Sequence, residues 1–295
     1  MDEARAATSR EDAQAEDRSA PAYRIVAPAR QTVPLVFASP HSGRLYPPEL
    51  LAASRLSAAA LRRSEDAYVD ELVSGASQAG APLICAEYAR AYLDLNREPY
   101  ELDPAMYHEG LPPHANTRSP RVAAGLGSIP RVIAEGAEIY AGKLPVADAE
   151  RRIATLWRPY HAALTRLIDD TAARFGFAVL IDVHSMPSAG AGDPPADFVL
   201  GDRFGASCRA EITGAAERTL RSLGYKVVRN APYAGGHVTQ TYGRPHRNRH
   251  ALQIEINRRL YLDEQRVERT DGFERLRDDM TRLAHMLAET CARLR

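Results

Sequence analysis

The run Phe177-Ala178-Val179-Leu180-Ile181-Asp182-Val183 is apolar at six of seven positions and leads directly into His184-Ser185. Apolarity this continuous is expected of a strand covered on both faces, the habit of sheets flanked by helices on either side. The rest of the chain keeps that rhythm. Further strands are predicted at Leu35–Ser39, Leu83–Glu87, Ala91–Leu95, Asp197–Leu200, Lys226–Arg229 and Ala251–Asn257. Between them lie helical patterns: one over Ala58–Gln78, with Leu61, Tyr68 and Leu72 on one face, and one over Phe204–Leu223, with Gly224 as its C′ residue. Ile153, Leu156, Trp157, Tyr160, Leu164, Leu167 and Ile168 form another apolar stripe, which Pro159 is predicted to kink. A last helix carries Phe273, Leu276, Met280, Leu283, Leu287 and Leu294. Strands alternating with helices define an α/β fold.

Bulk properties narrow the possibilities. The 295 residues hold 38 Lys+Arg and 38 Asp+Glu, so the net charge is zero. That argues against nucleic acid or an anionic membrane as partner, since such surfaces are met with excess positive charge. No apolar stretch approaches the roughly 18 to 20 residues that span a bilayer. The N-terminus carries Asp2, Glu3, Glu11, Asp12, Glu16 and Asp17 and no apolar segment, so it reads as a disordered tail over residues 1–22 and not as a signal peptide. A single domain is expected over residues 23–295. Cys85, Cys208 and Cys291 are too scattered for a disulfide framework or a thiolate metal site, which fits a reducing cytoplasm.

Two predicted strands end in the same grammar, "ASPHSG" around His41 and "LIDVHSMPS" around His184. In open α/β sheets ligands bind beyond the carboxyl ends of the strands, so both imidazoles are expected in one crevice. Asp182, two residues before His184, leaves the strand on the same side and suits a hydrogen bond to an imidazole N–H. Two histidines are an incomplete zinc site, which needs a third protein ligand. The spacing H-x-x-E is absent, because the third residue after His41 is Arg44. Glu65 and Asp66 of "RSEDAYVDEL" are the candidate carboxylates, Glu65 within the apolar stripe of its helix and Asp66 at the edge. In "ALQIEINRRL", alternation puts Leu252, Ile254 and Ile256 on one face and Gln253, Glu255 and Asn257 on the other. A carboxylate in mid-strand costs stability unless it is used, and Glu255 suits a general base. Asn96-Arg97 offers a planar guanidinium fork matched to a carboxylate.

The blocks "FASPHSG", "SEDAYVDEL", "YLDLNREPYELDP", "LIDVHSMPS", "DFVLGDRFG", "PYAGGHVTQTYGRP" and "HALQIEINRRLY" occur in this order and resemble the N-formylglutamate amidohydrolase family from about Val33 to Tyr261. That resemblance implies a three-layer α/β/α sandwich around a mixed sheet, similar to the zinc carboxypeptidases and aspartoacylase-type deacylases. It implies one zinc or other divalent ion held by His41, His184 and an acidic residue of the "SED" block. Asp66 is chosen because its side chain leaves the helix off the apolar stripe. It further implies Glu255 as general base, Asn96 and Arg97 as holders of a substrate carboxylate, and His237 and Tyr242 near the acyl group. Arg203 is the first choice, ahead of Arg131 and Arg244, to read a side-chain carboxylate. The expected activity is hydrolysis of N-formyl-L-glutamate to formate and glutamate, as in histidine degradation. Alternatives are a deacylase of another N-acyl amino acid or small peptide, and an inactive binding protein of the same fold.

Overall fold

The FAVLIDV run lies in the middle strand of a seven-stranded sheet in the computed structural model of the chain, which describes residues 20–133, 136–190, 192 and 195–294. The strands are β1 (Tyr23–Val26), β2 (Leu35–Ser39), β3 (Leu83–Ala86), β4 (Ala178–Met186), β5 (Phe198–Gly201), β6 (Val227–Arg229) and β7 (Arg249–Asn257). Their order is β1-β3-β2-β4-β7-β5-β6. β2, β3, β4 and β7 pair in parallel, whereas β1 runs antiparallel to β3 and β5 antiparallel to β7. The sheet is therefore mixed, as expected.

Side-chain alternation divides the interior into two cores. Leu35, Phe37, Val179, Ile181, Val183, Leu252, Ile254 and Ile256 face one side. There they meet the Ala210–Ser222 helix and the Gly272–Arg293 helix, whose Phe273, Leu276, Met280, Leu283 and Leu287 are buried. Val36, Ala38, Leu180 and Ala251 face the other side, against Tyr160, Leu164 and Ile168 of the Arg158–Phe175 helix and Val238 of the His237–Tyr242 helix. Each fully buried aliphatic or aromatic side chain contributes about 1.5 to 3 kcal/mol, so the two stripes lock a helix layer onto each face. The result is a three-layer α/β/α sandwich.

Several expectations need correction. β4 runs past Val183 to Met186, because β7 pairs with it over nine residues, from Ala178 opposite Arg249 to Met186 opposite Asn257. His184 and Ser185 are therefore on the strand itself. Ala91–Leu95 is not a strand: it turns, with Tyr92 and Leu93 amides bonded to the Ala89 carbonyl. The Ala58–Gln78 helix is broken into Ala58–Arg62, Val69–Leu72 and a 3-10 turn at Ser74–Ala76, with Tyr68 left-handed at φ 61°. The predicted kink is a wide π-turn, Ile153–Trp157, joining the Val146–Arg152 and Arg158–Phe175 helices. Pro159 follows in the first turn of the second helix, where its missing N–H is tolerated. The helix predicted from Phe204 starts only at Ala210, but Gly224 does follow its end in the left-handed conformation, φ 93°. β1 was not foreseen.

The tail drawn at residues 1–22 lies outside the described residues except for 20–22, where the Tyr88 hydroxyl donates to the Ala20 carbonyl and the Glu87 amide to that of Ala22. Among the described residues no helix is long and apolar enough to cross a membrane.

Candidate active site

The apolar face that carries Leu180 and Ala251 becomes polar toward the carboxyl ends of β4 and β7. Asp182 and His184 continue β4 on that face, and Gln253 and Glu255 continue β7. Parallel register sets His184 directly beside Glu255 and Asp182 beside Gln253. His41 arrives from the turn after β2. Gly43 is obligatory there, since a Cβ would lie 2.1 Å from the Tyr88 carbonyl oxygen. Asp66 comes from the irregular segment between the two short helices, its amide bonded to the His41 carbonyl at 3.0 Å.

These elements bring three side chains together. His41 Nδ1 and His184 Nδ1 face one another at 3.0 Å, and Asp66 Oδ2 lies 3.0 Å from the latter and 3.3 Å from the former. All three residues are buried. The opposite nitrogens are held by carboxylates: His41 Nε2 lies 2.7 Å from Asp94 Oδ1, and His184 Nε2 lies 3.1 Å from Asp182 Oδ2. A carboxylate only accepts, so in the neutral imidazole each fixes the proton on Nε2 and leaves the Nδ1 lone pair pointing at its neighbour. Two lone pairs and a carboxylate oxygen converging in a buried space fit a divalent cation, and this trio could hold a metal ion.

The carboxylates around the imidazoles favour positive charge, carried either by an ion or by protons that the Nδ1 atoms then donate to Asp66. Burial opposes ionisation of Asp66, but hydrogen bonds from His184 and His41 and the charge of Arg90 hold its carboxyl well below the usual range. Burial also opposes a charged His184, yet Asp182, Asp66 and Glu255 hold its imidazole well above its ordinary value. Glu255 behaves in the opposite sense: burial pushes its carboxyl up to about 7, with Asp66 and Asp182 adding to the effect and His184 and Arg90 opposing it. Gln253 Nε2 donates to Glu255 Oε1 at 2.8 Å and aims the carboxylate.

Glu65, the other acid of the pair, points elsewhere. Its Oε1 accepts from the Tyr46 hydroxyl at 2.6 Å and lies 3.3 Å from Arg62 Nε. Asp66→Ala should therefore weaken zinc binding by more than the roughly 10- to 100-fold that loss of an outer hydrogen-bond partner costs. Glu65→Ala should change it far less. Zinc titration of the two variants checks this, and the reverse order would make Glu65 the ligand.

The trio lines a cavity of about 480 Å³, within the range of small-molecule sites. Glu255, Asn96 and Arg97 line it too. The Asn96 amide nitrogen lies beside His184 Nε2 and donates to the same Asp182 Oδ2, at 3.5 Å, while its Oδ1 accepts the Val238 amide at 2.8 Å. Gly236 permits this approach, because a Cβ would meet the Asn96 amide group at 2.5 Å. Asn96 thus ties the carboxylate behind His184 to the Gly-rich loop. Arg97 donates from Nε to the Leu126 carbonyl and from Nη1 to that of Asn96, both at 2.9 Å.

Three expected site residues are not among those that line the cavity. Arg203, left-handed at φ 53°, uses its amide to hold the Ala234 carbonyl at 2.8 Å, and so supports the Pro232–Gly236 lining from behind. The His237 ring packs 5.8 Å from Trp157 and 5.7 Å from His161. Tyr242 is a core residue, its hydroxyl 2.9 Å from His161 Nδ1. Of the two other cations considered, Arg131 pairs with Asp103 at 2.9 Å and Arg244 bonds the Gln240 and Gly243 carbonyls. Residues missed in the sequence include Asp94, Arg90, Arg258 and Tyr233. A signal for Asp94 existed: Asp94-Leu95-Asn96 repeats the D-x-polar spacing of Asp182-Val183-His184.

Two carboxylate-backed imidazoles, an acidic partner and a buried glutamate meeting at one end of a mixed sheet make a site suited to hydrolysis of an amide. The sequence model of the N-formylglutamate amidohydrolase family matches residues 33–262. N-formylglutamate deformylase of Pseudomonas aeruginosa is 33% identical over 243 residues, 80% of this chain and 85% of that protein. The Pseudomonas putida deformylase is 30% identical over 239 residues, 79% and 83% of the two chains. The crystal structure of N-formylglutamate amidohydrolase from Ralstonia eutropha JMP134 matches with a TM-score of 0.89 at 37% identity, over 94% of this chain and 100% of that one. The chain belongs to the N-formylglutamate amidohydrolase family.

Proposed function

We propose that the protein is a zinc-dependent, cytoplasmic hydrolase that converts N-formyl-L-glutamate to formate and L-glutamate, as in histidine degradation. The observation that carries this reading is the β4–β7 register, which sets Glu255 beside His184 in a cavity that also presents the Arg97 guanidinium. The relatives' names support the choice of substrate. The three cysteines, all buried thiols, support the reducing compartment.

His41, Asp66 and His184 would hold zinc, which when bound supplies a Lewis acid and lowers the pKa of water towards about 7. Asp94 and Asp182 keep the imidazoles in the ligating tautomer. Glu255 takes a proton from the water that attacks the formyl carbon. It then delivers that proton to the nitrogen as the C–N bond breaks, and the hydroxyl proton left on the new acid passes to the freed amine, so formate and an ammonium group leave. Burial, which makes Glu255 a better base than an ordinary carboxylate, suits it to both transfers. Arg97 holds the carboxylate that every N-acyl amino acid carries. A small acidic N-acyl amino acid is thus the only partner the reading needs, with neither nucleic acid nor membrane.

Formate release across a panel of N-formyl amino acids, with metal analysis of the same sample, tests the reading. Release from N-formylglutamate above all others is expected. Turnover only of longer acyl chains or peptides would replace it with the broader deacylase reading. Within that panel Arg97→Ala should lower kcat/KM for every substrate by about 2 to 5 kcal/mol in transition-state stabilisation, the usual cost of losing one buried charge partner. An unchanged kcat/KM would remove Arg97 from the site.

A further inference from the structure

Five arginines line the cavity: Arg63, Arg90, Arg97, Arg121 and Arg258. Most are committed to protein groups. Arg90 donates to Asp94 at 2.8 Å, and Arg258 binds Asp66 at 3.1 Å, Ser185 at 3.1 Å and the Glu65 carbonyl at 2.6 Å. Arg63 has a partner of its own. Arg97 uses two of its nitrogens on carbonyls, and the carboxylate it reaches is Asp94, at 4.0 Å. Arg121 differs from all of these. Among the described residues it has one ion-pair contact, to Glu101 at 3.9 Å, which is too long for a hydrogen bond.

Arg121 stands on the short Pro120–Ala123 helix, in the segment that also gives Leu126, Pro130, Val132 and Ile133 to the cavity wall. An apolar strip beside a guanidinium with open N–H groups matches a short methylene chain that ends in a carboxylate. Burial holds the Arg97 guanidinium below its ordinary value, and the like charges of Arg90 and Arg121 add to that. Two cations forced together in one cavity repel, and a dianion relieves the repulsion as no monoanion can. The positions also form a sequence: His41 touches Asp94, Asp94 neighbours Arg97, and Arg97 feels Arg121. A first carboxylate beside the scissile amide meets Arg97, and a second, farther along the chain, meets Arg121.

We propose that Arg121 reads the side-chain carboxylate of the substrate and sets the preference for dicarboxylic N-formyl amino acids; this rests on the hydrolase reading above. Arg121→Gln should leave the fold intact, since the side chain is 36% exposed and makes no hydrogen bond among the described residues. In the metal-loaded enzyme it should lower kcat/KM for N-formylglutamate roughly 10- to 100-fold, chiefly through KM. That runs from below the range for a lost buried charge partner to its low end, because Arg121 is partly solvated. For the neutral isostere N-formylglutamine the change should stay within about twofold, and Arg121→Lys should restore part of the loss. Equal losses on both substrates, or none on either, would overturn the assignment. Calorimetric binding of glutarate and butyrate separates this from failure of the reaction itself. Glutarate should bind wild type more tightly than Arg121→Gln, while butyrate binds both alike. Should wild type release no formate, Arg121-dependent glutarate binding would still establish the dicarboxylate site. Glutarate binding indifferent to the substitution would sink it whether or not formate appears.

Discussion

Glu255→Gln should keep its metal and its fold and lose roughly 10²- to 10⁴-fold in kcat, the range for a positioned acid–base group. The amide has the shape of the carboxylate, and its oxygen can still accept from Gln253 Nε2, the 2.8 Å bond seen on Oε1. What it lacks is a site for the proton. Glu255 is set beside His184 by strand register and is not one of the three convergent ligand atoms, so metal content should be unchanged. Stability should not fall either. A carboxyl whose folded pKa is raised binds its proton more tightly folded than unfolded. Its contribution is thus full at low pH and lost as pH rises through about 7. The amide has nothing to ionise and should melt no lower than wild type at pH 8. Normal kcat in this variant would take Glu255 out of the mechanism.

The second large effect is on the metal. Chelation should abolish hydrolysis, and His41→Ala and His184→Ala should each lose the ion, because either change leaves two protein ligands where zinc usually requires three. The two need not behave alike in stability. His184 stands between Asp66 and Asp182; Asp66 keeps Arg258, but Asp182 loses its one ion-pair partner among the described residues. Truncating one partner of such a buried set commonly costs about 3 to 5 kcal/mol. His41 contacts Asp66 and Asp94, but Asp94 keeps Arg90 at 2.8 Å and Asp66 keeps Arg258 at 3.1 Å. Metal analysis with thermal melts of both variants tests these points, and full turnover in metal-free protein would refute the metal-dependent reading.

The central strands are legible because burial leaves a direct trace: β2 and most of β4 are apolar runs, and β7 alternates apolar with polar residues. β1 left little trace, since Arg24 and Ile25 are exposed on an edge strand of four residues. Ala91–Leu95 misled for a related reason. Ala91, Tyr92, Leu93 and Leu95 are apolar and buried, as on a covered strand, but they belong to a turn that presents Asp94 to His41 and caps the Asn96 amide. His41 and His184 could be found from local grammar, and Glu255 from its mid-strand position. Asp66 was preferred to Glu65 for a helical reason, yet neither residue is helical, and what orients Asp66 is its backbone bond to His41. Arg203 and Arg121 show where local reading ends. Which guanidinium is left with open N–H groups depends on partners scattered along the chain, and nothing near either residue in sequence records that.

The π-turn at Ile153–Trp157 ends on the sole tryptophan of the chain. Its indole N–H donates to the Arg97 carbonyl at 3.0 Å, and its ring lies stacked 3.9 Å from that of His161. The molecule therefore carries one indole, a fluorophore that can be excited apart from its 13 tyrosines, bonded to the backbone of the arginine assigned to the substrate. No second indole dilutes its signal. His161, pushed down to about 3 by burial, stays uncharged through neutral pH and does not vary as a quencher there. Any shift of the Arg97 backbone on filling the cavity reaches the indole through a single hydrogen bond, so occupancy can be followed by emission without a label.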